Sequence, residues 1–292
     1  MSSSPPPDRE PAQLRAVAET LAAEAAAFVR RRRPEVFGAQ PAGSDSGAVQ
    51  TKTTPTDPVT VVDTDTERLL RDRLAQLRPG DPILGEEGGG PADDAAPGGD
   101  AVTWVLDPID GTVNFVYGIP AYAVSIGAQI GGLSVAGAVA DVEGGRVYSA
   151  ARGLGAHVTG EHGSQPLRCS TATDLATALV GTGFAYSPQR RTVQAALLAR
   201  MLPVVRDVRR IGSAALDLCM VAAGRLDAYY EHGLQVWDSA AGALIAAEAG
   251  ARVVLPSPDV PGAGIVVAAA PGVADELLAA LERFDGLEPI AD

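Results

Sequence analysis

Trp104-Val-Leu-Asp-Pro-Ile-Asp-Gly-Thr112 is the stretch on which the fold turns. The apolar run Val102 to Leu106 reads as a buried strand. Pro108 disfavours continuing a helix from Asp107, so the segment is expected to run strand, turn, helix, with the helix opening near Gly111-Thr112. Asp107 then ends the strand and Asp110 sits at the helix N-terminus, where aspartate is a good cap. On that basis the two acids need be no more than a turn former and a cap. Two features argue for chemistry instead. The acids emerge from a hydrophobic run, and Gly111-Thr112 offers N–H groups and a hydroxyl suited to a phosphate at a helix start.

The flanking sequence alternates in period. Residues 11–30 read as a helix, with Leu14, Val17, Leu21, Ala25 and Phe28 at three-to-four spacing and Pro34 helping to end it. Residues 40–50 read as a loop, 59–62 as a short β-prone run before an acidic, threonine-rich turn, and Thr66–Leu77 as a helix with Leu69, Leu70, Leu74 and Leu77 inward. Ile83-Leu84 is a short strand before Gly85-Glu86-Glu87-Gly88, and residues 89–100 are a Gly/Pro/Asp/Ala surface loop. Residues 121–130, 133–142, 146–150 and 155–159 suggest neighbouring strands. Beyond a Gly/Ser/Gln/Pro cluster at 160–166, strands are expected at 179–181, 227–231, 252–255 and 265–269. Helices are expected at 192–201, 212–223, 239–249 and 273–283. This predicts a tail at 1–10, an N-terminal α+β domain at 11–165 that carries the acidic motif, and a C-terminal α/β domain at 166–292.

Composition narrows the function. The 292 residues are 46% hydrophobic and 20% charged, enough for a sizeable core. A net charge of −13 argues against direct binding to nucleic acid or an anionic membrane. Arg30–Arg33 reads as the solvated last turn of the first helix, where arginines suit the dipole. Cys169 and Cys219 form no CxxC or zinc pattern and read as buried, reduced thiols. No apolar signal core or membrane-length stretch is present, so a reducing cytoplasmic compartment is expected.

Two further acidic motifs follow apolar runs or precede helices. Adjacent Glu86 and Glu87 on an extended chain point oppositely, so one is expected to face a site. Asp238 precedes an alanine-rich helix and reads as an N-cap, a ligand, or both; Trp237 reads as a packing residue. Lys52 reads as a surface residue or as a cation for a bound anion, and Asp63 as a turn former or an orienter of a hydroxyl. His157, His162 and His232 are scattered. Converging carboxylates repel one another without cations, and oxygen donors suit Mg²⁺ or Mn²⁺.

These motifs together, in this order, resemble the inositol monophosphatase family of Mg²⁺-dependent, lithium-sensitive phosphatases. The resemblance rests on Gly85-Glu86-Glu87, Asp107-Pro-Ile-Asp-Gly-Thr112 with Asn114-Phe115, and Trp237-Asp238 with Ala241-Gly242, and spans residues 11 to 285. It implies an α+β fold layered α/β/α/β/α, a homodimer, and Mg²⁺ as cofactor, with Li⁺ inhibitory. Glu86, Asp107 and the Ile109 carbonyl would hold one cation, Asp107, Asp110 and Asp238 a second, and a third, weaker one would share Glu86. Gly111 and Thr112 would bind phosphate. Thr112, paired with Asp63, would help Glu86 orient a water. Asp110, Ala214 and Glu231 would contact the alcohol, and Arg191 and Arg209-Arg210 would flank its pocket. The implied substrate is myo-inositol 1-phosphate. Histidinol phosphate, fructose 1,6-bisphosphate and 3′-phosphoadenosine 5′-phosphate are the alternatives within the family, and a non-catalytic regulatory or RNA-associated protein the alternative outside it.

Overall fold

The structure is a computed structural model that describes residues 9–38, 49–52, 58–90, 101–257 and 262–290. The tail at 1–8, most of the loop expected at 40–50 and the run from 91 to 100 lie outside the described residues.

Helix α1 (Pro11–Phe37) buries Leu14, Ala18, Leu21, Ala25 and Val29 along one stripe. Pro34, which the sequence marks as its end, lies inside it. The last turns are held from outside: the Arg30 guanidinium donates to the Val142 carbonyl, and Arg33 donates to the Phe115 carbonyl while lying over the Phe115 ring. Arg32 pairs with Glu35 and Asp65. Arg30, Arg32 and Arg33 therefore anchor the helix end, whereas Arg31 is exposed as the solvated-turn reading expects.

Strands β1 (Val49–Thr51) and β2 (Pro58–Thr60) form an antiparallel ribbon. Helix α2 (Val61–Leu77) begins five residues before Thr66, because Thr60 and Asp63 form a reciprocal capping box. The segment expected to be an acidic turn is thus the first turn of a helix. Leu70 and Leu74 are buried as expected, but Leu77 is 42% exposed. Val62, Asp63, Thr66 and Glu67 fill the inner face nearer the start.

The next elements build a seven-stranded sheet. They are β3 (Ile83–Gly85), β4 (Val102–Asp110), helix α3 (Thr112–Tyr117), β5 (Ala123–Ile130), β6 (Leu133–Asp141), β7 (Arg146–Ala151), β8 (Ala156–Gly160) and β9 (Gly163–Pro166). The strands lie in sequence order, with β3 parallel to β4 and every later pair antiparallel. A second sheet takes β10 (Leu179–Thr182), β11 (Asp207–Arg209), β12 (Ala228–His232), β13 (Arg252–Val254) and β14 (Ile265–Ala269) in the order β11-β10-β12-β14-β13. Between these strands run α4 (Pro188–Met201), α5 (Ala214–Ala222) and α6 (Val236–Glu248), and α7 (Pro271–Arg283) closes the series. β9 and β11 carry no apolar period, which is why the sequence did not mark them.

Four apolar clusters glue five layers. α1 and α2 pack on one face of the first sheet through Leu14, Leu21, Leu70, Trp104 and Ile126. α5 and α6 pack on its other face through Val139, Tyr148, Leu216 and Ile245. The same two helices cover the second sheet through Leu218, Tyr229, Ala246 and Val266. α4 and α7 cap the far side through Leu197, Met201, Tyr230, Val267 and Leu277. This is the α/β/α/β/α sandwich that the resemblance implies. Among the described residues no helix is long and apolar enough to cross a membrane. Cys219 is buried and Cys169 only partly so; neither is in a disulfide.

Candidate active site

A β-bulge brings Asp107 and Asp110 to one face. β4 pairs Asp107 with Ser125 and Asp110 with Ala123, so it spends three steps where β5 spends two. In a regular strand, residues three apart point to opposite faces. The extra residue of a bulge restores the same face. Pro108 sits within this irregularity, where a missing N–H breaks no ladder. Ile109 turns into the core beneath, and its N–H donates to Asp107 Oδ1 at 3.1 Å. Asp110 is therefore the end of the strand, not a helix cap. Gly111 takes the cap position of α3 with φ 96°, and a β-carbon there would lie 3.0 Å from the Ala121 and Gly212 carbonyls.

Asp238 arrives from the other side of the chain. α6 lies so close to the first sheet that β-carbons on Gly127 and Gly137 would fall 2.9–3.0 Å from Ala240 and Ala241. α6 starts at Val236, so Asp238 is its third residue, not its cap, and accepts the Gln235 N–H at 2.7 Å. Asp107, Asp110 and Asp238 each offer an oxygen within 4.8 Å of the others.

The remaining residues close a cavity of about 700 Å³. Lys52, Glu86, Ile109, Gly111, Thr112, Ala214 and Glu231 all line it, together with the three aspartates. Asp63 stands behind the wall, with Oδ1 3.1 Å from the Thr112 hydroxyl and Oδ2 accepting from Thr60. Glu86 and Glu87 lie in a turn, and both accept from Lys52 Nζ, at 2.7 and 2.6 Å. Only Glu86 lines the cavity. Arg190 and Arg210 line it, whereas Arg191 does not and Arg209 pairs with Asp207. Trp237 is a half-buried part of the wall.

Electrostatics mark the cluster as short of positive charge. Burial pushes the Asp107 and Asp238 carboxyls well above their ordinary range, and the neighbouring acids push them further. Burial raises Asp110 to about 6, although the Ser213 hydroxyl at 2.5 Å and the Ala215 N–H at 2.7 Å oppose it. Burial raises Asp63 to about 7 against the Thr60 hydrogen bonds, and Glu231 to about 7 against the Tyr229 hydroxyl. For Lys52, burial would lower the ammonium, but Glu86 and Glu87 outweigh it and the net shift is upward. The donors are oxygen only, they repel one another, and the one ammonium nearby is already drawn to Glu86. The residues present fit a hard divalent cation.

Two supporting residues escape sequence reasoning. Glu67, one turn after Asp63 on α2, accepts the Glu87 and Gly88 N–H groups at 2.8 Å and so shapes the turn that carries Glu86. Its signal is a charged residue on the inner stripe of a helix. Tyr229 donates to Glu231 Oε2 at 2.6 Å from two residues away on β12, a same-face spacing legible once the strand is known.

Known proteins resemble this chain in sequence and fold. A model of the inositol monophosphatase family matches residues 10–285. A Mycobacterium tuberculosis protein named Inositol-1-monophosphatase SuhB is 76% identical over 287 residues, 98% of this chain and 99% of its own. A Pasteurella multocida protein named Nus factor SuhB is 39% identical over 230 residues, 76% of this chain and 81% of its own. The solved structure of Mycobacterium tuberculosis SuhB matches with a TM-score of 0.81 and 68% identity, covering 96% of this chain and 100% of that one.

Proposed function

Because the chain belongs to the inositol monophosphatase family, and is thereby a phosphatase, we propose that it hydrolyses myo-inositol 1-phosphate with Mg²⁺ as cofactor. The observation that carries this reading is the shared cavity: a three-aspartate cluster on one wall and Glu231, an acceptor for hydroxyls, on another. Glu86, Asp107, Asp110, Asp238 and the Ile109 carbonyl would hold the cations. When bound, these supply the positive charge that offsets the carboxylates and the phosphoryl oxygens.

The chain's own groups do the rest. Backbone N–H groups of Gly111 and Thr112 face the phosphate, and Asp110, Ala214 and Glu231 orient the alcohol. The Thr112 hydroxyl stands within hydrogen-bonding distance of Asp63 Oδ1 and of the Ile109 carbonyl. It thereby links the cavity to a buried carboxyl that can take a proton from a water held between Thr112 and Glu86. Direct attack by that water on phosphorus forms the new P–O bond as the P–O bond to the alcohol breaks, the leaving oxygen takes a proton from solvent water, and no covalent enzyme intermediate is needed.

A kcat/KM panel tests the substrate. myo-Inositol 1-phosphate should lead histidinol phosphate, fructose 1,6-bisphosphate and 3′-phosphoadenosine 5′-phosphate. A preference above tenfold for any of the others would displace it. The Pasteurella relative's name motivates a regulatory reading, which would stand if a hydrolysis-dead variant rescued every phenotype of a deletion. The homodimer that the resemblance implies is tested by sedimentation, and the cytoplasmic site by fractionation.

A further inference from the structure

Glu231 stands in a socket that no catalytic role explains. Gly183 follows β10, beside β12, and a β-carbon built on it would overlap the Glu231 carboxylate. Two residues earlier on the same strand, a β-carbon on Gly181 would lie 2.8 Å from Asp217 Oδ1 and 3.2 Å from the Tyr229 ring. Thr182, between them, turns the other way and donates to the Tyr230 carbonyl at 2.9 Å. The alternation leaves the Gly181–Gly183 end of that face, past Leu179, without side chains, beside Tyr229 and Glu231 on β12. The phenol is fully buried, and its hydroxyl donates to Glu231 Oε2 at 2.6 Å. One carboxylate oxygen is thus engaged, and Glu231 lines the cavity.

We infer that Gly183 and Tyr229 are the positioning residues for alcohol specificity, holding Glu231 in the one orientation that offers Oε1 to a hydroxyl of a polyol monophosphate. This rests on the phosphatase reading and on Glu231 meeting the alcohol. A buried hydrogen bond to the carboxyl removes the freedom of a long side chain, and the orientation is of use only to substrates that present a hydroxyl there. Esters without hydroxyls on the leaving group draw nothing from the socket.

Purified enzyme with Mg²⁺ is assayed on myo-inositol 1-phosphate and on phenyl phosphate, whose leaving group carries no further hydroxyl. Tyr229→Phe removes only the hydroxyl, and Gly183→Ala fills the socket. Each is expected to lower the kcat/KM ratio of the polyol ester to phenyl phosphate at least tenfold, chiefly through KM of the polyol ester. Adding Glu231→Asp to Gly183→Ala shortens the acid by one methylene and should recover part of the ratio. A purely structural role would lower both substrates together. Equal losses on both esters, an unchanged ratio in Tyr229→Phe, or a double variant no better than Gly183→Ala would overturn the inference. Wild-type protein that hydrolyses phenyl phosphate but no polyol ester would instead sink the substrate reading.

Discussion

At Glu231 the protein keeps a carboxyl where water would hold its charge better. Burial raises it to about 7, whereas an unfolded chain ionises it near its ordinary value of 4.5. Between those values the unfolded state has released a proton that the folded state retains, so stability falls as pH rises. The difference amounts to about 3 kcal/mol once pH passes 7. Glu231→Gln stays neutral and still accepts from Tyr229. Urea unfolding should therefore show similar stability for both proteins near pH 4.5, and a variant more stable than wild type near pH 8. Equal stability at both pH values would show that the site carries no such penalty. The motif residues were legible because their chemistry is written in residue type: acids after apolar runs, with glycine and threonine beside them. Tyr229, Glu67 and Arg190 were not, because tyrosines, glutamates and arginines are common and only convergence in space singles these out.

Among the elements, α2 shows how a boundary can carry function. Thr60 caps the helix by accepting from the Val62 and Asp63 N–H groups, and its own N–H and hydroxyl bind Asp63. The same Asp63 reaches Thr112 on the cavity wall. Thr60→Ala should lose about 1 kcal/mol of stability and lower kcat, because Asp63 is then free to leave Thr112. Thr60→Ser should retain both; a Thr60→Ala enzyme with unchanged kcat would uncouple the cap from the site. The long periodic elements were legible in the sequence. The bulge at Asp107–Asp110 was not, since pattern alone does not distinguish an extra residue in a strand from a strand-turn-helix step. The early start of α2 was hidden for a related reason: a threonine-aspartate capping box has the composition of a turn.

On the scale of the whole molecule, the two halves of the sequence meet through α5 and α6, which cover both sheets. Period and spacing marked the strands and helices but left the order of layers open, because that order depends on which faces pair. The site lies where this packing brings Asp107 and Asp110 from the first sheet to Asp238 on α6. Cation binding should therefore stabilise the fold as a unit. At a Mg²⁺ concentration 100-fold above the dissociation constant the gain is about 2.7 kcal/mol, or a rise in Tm of about 4 °C for a chain of this size. Asp107→Asn should abolish the rise, and a wild-type Tm insensitive to Mg²⁺ would count against a cation in the cluster. The most direct test is phosphate release from myo-inositol 1-phosphate by protein stripped of divalent cations and then titrated with Mg²⁺, beside Asp107→Asn. Stripped protein should not turn over, titration should restore activity, and the variant should be slower by at least ~100-fold at every Mg²⁺ concentration. Turnover that persists without divalent cations, or that survives Asp107→Asn, would contradict cation-dependent hydrolysis at this cluster.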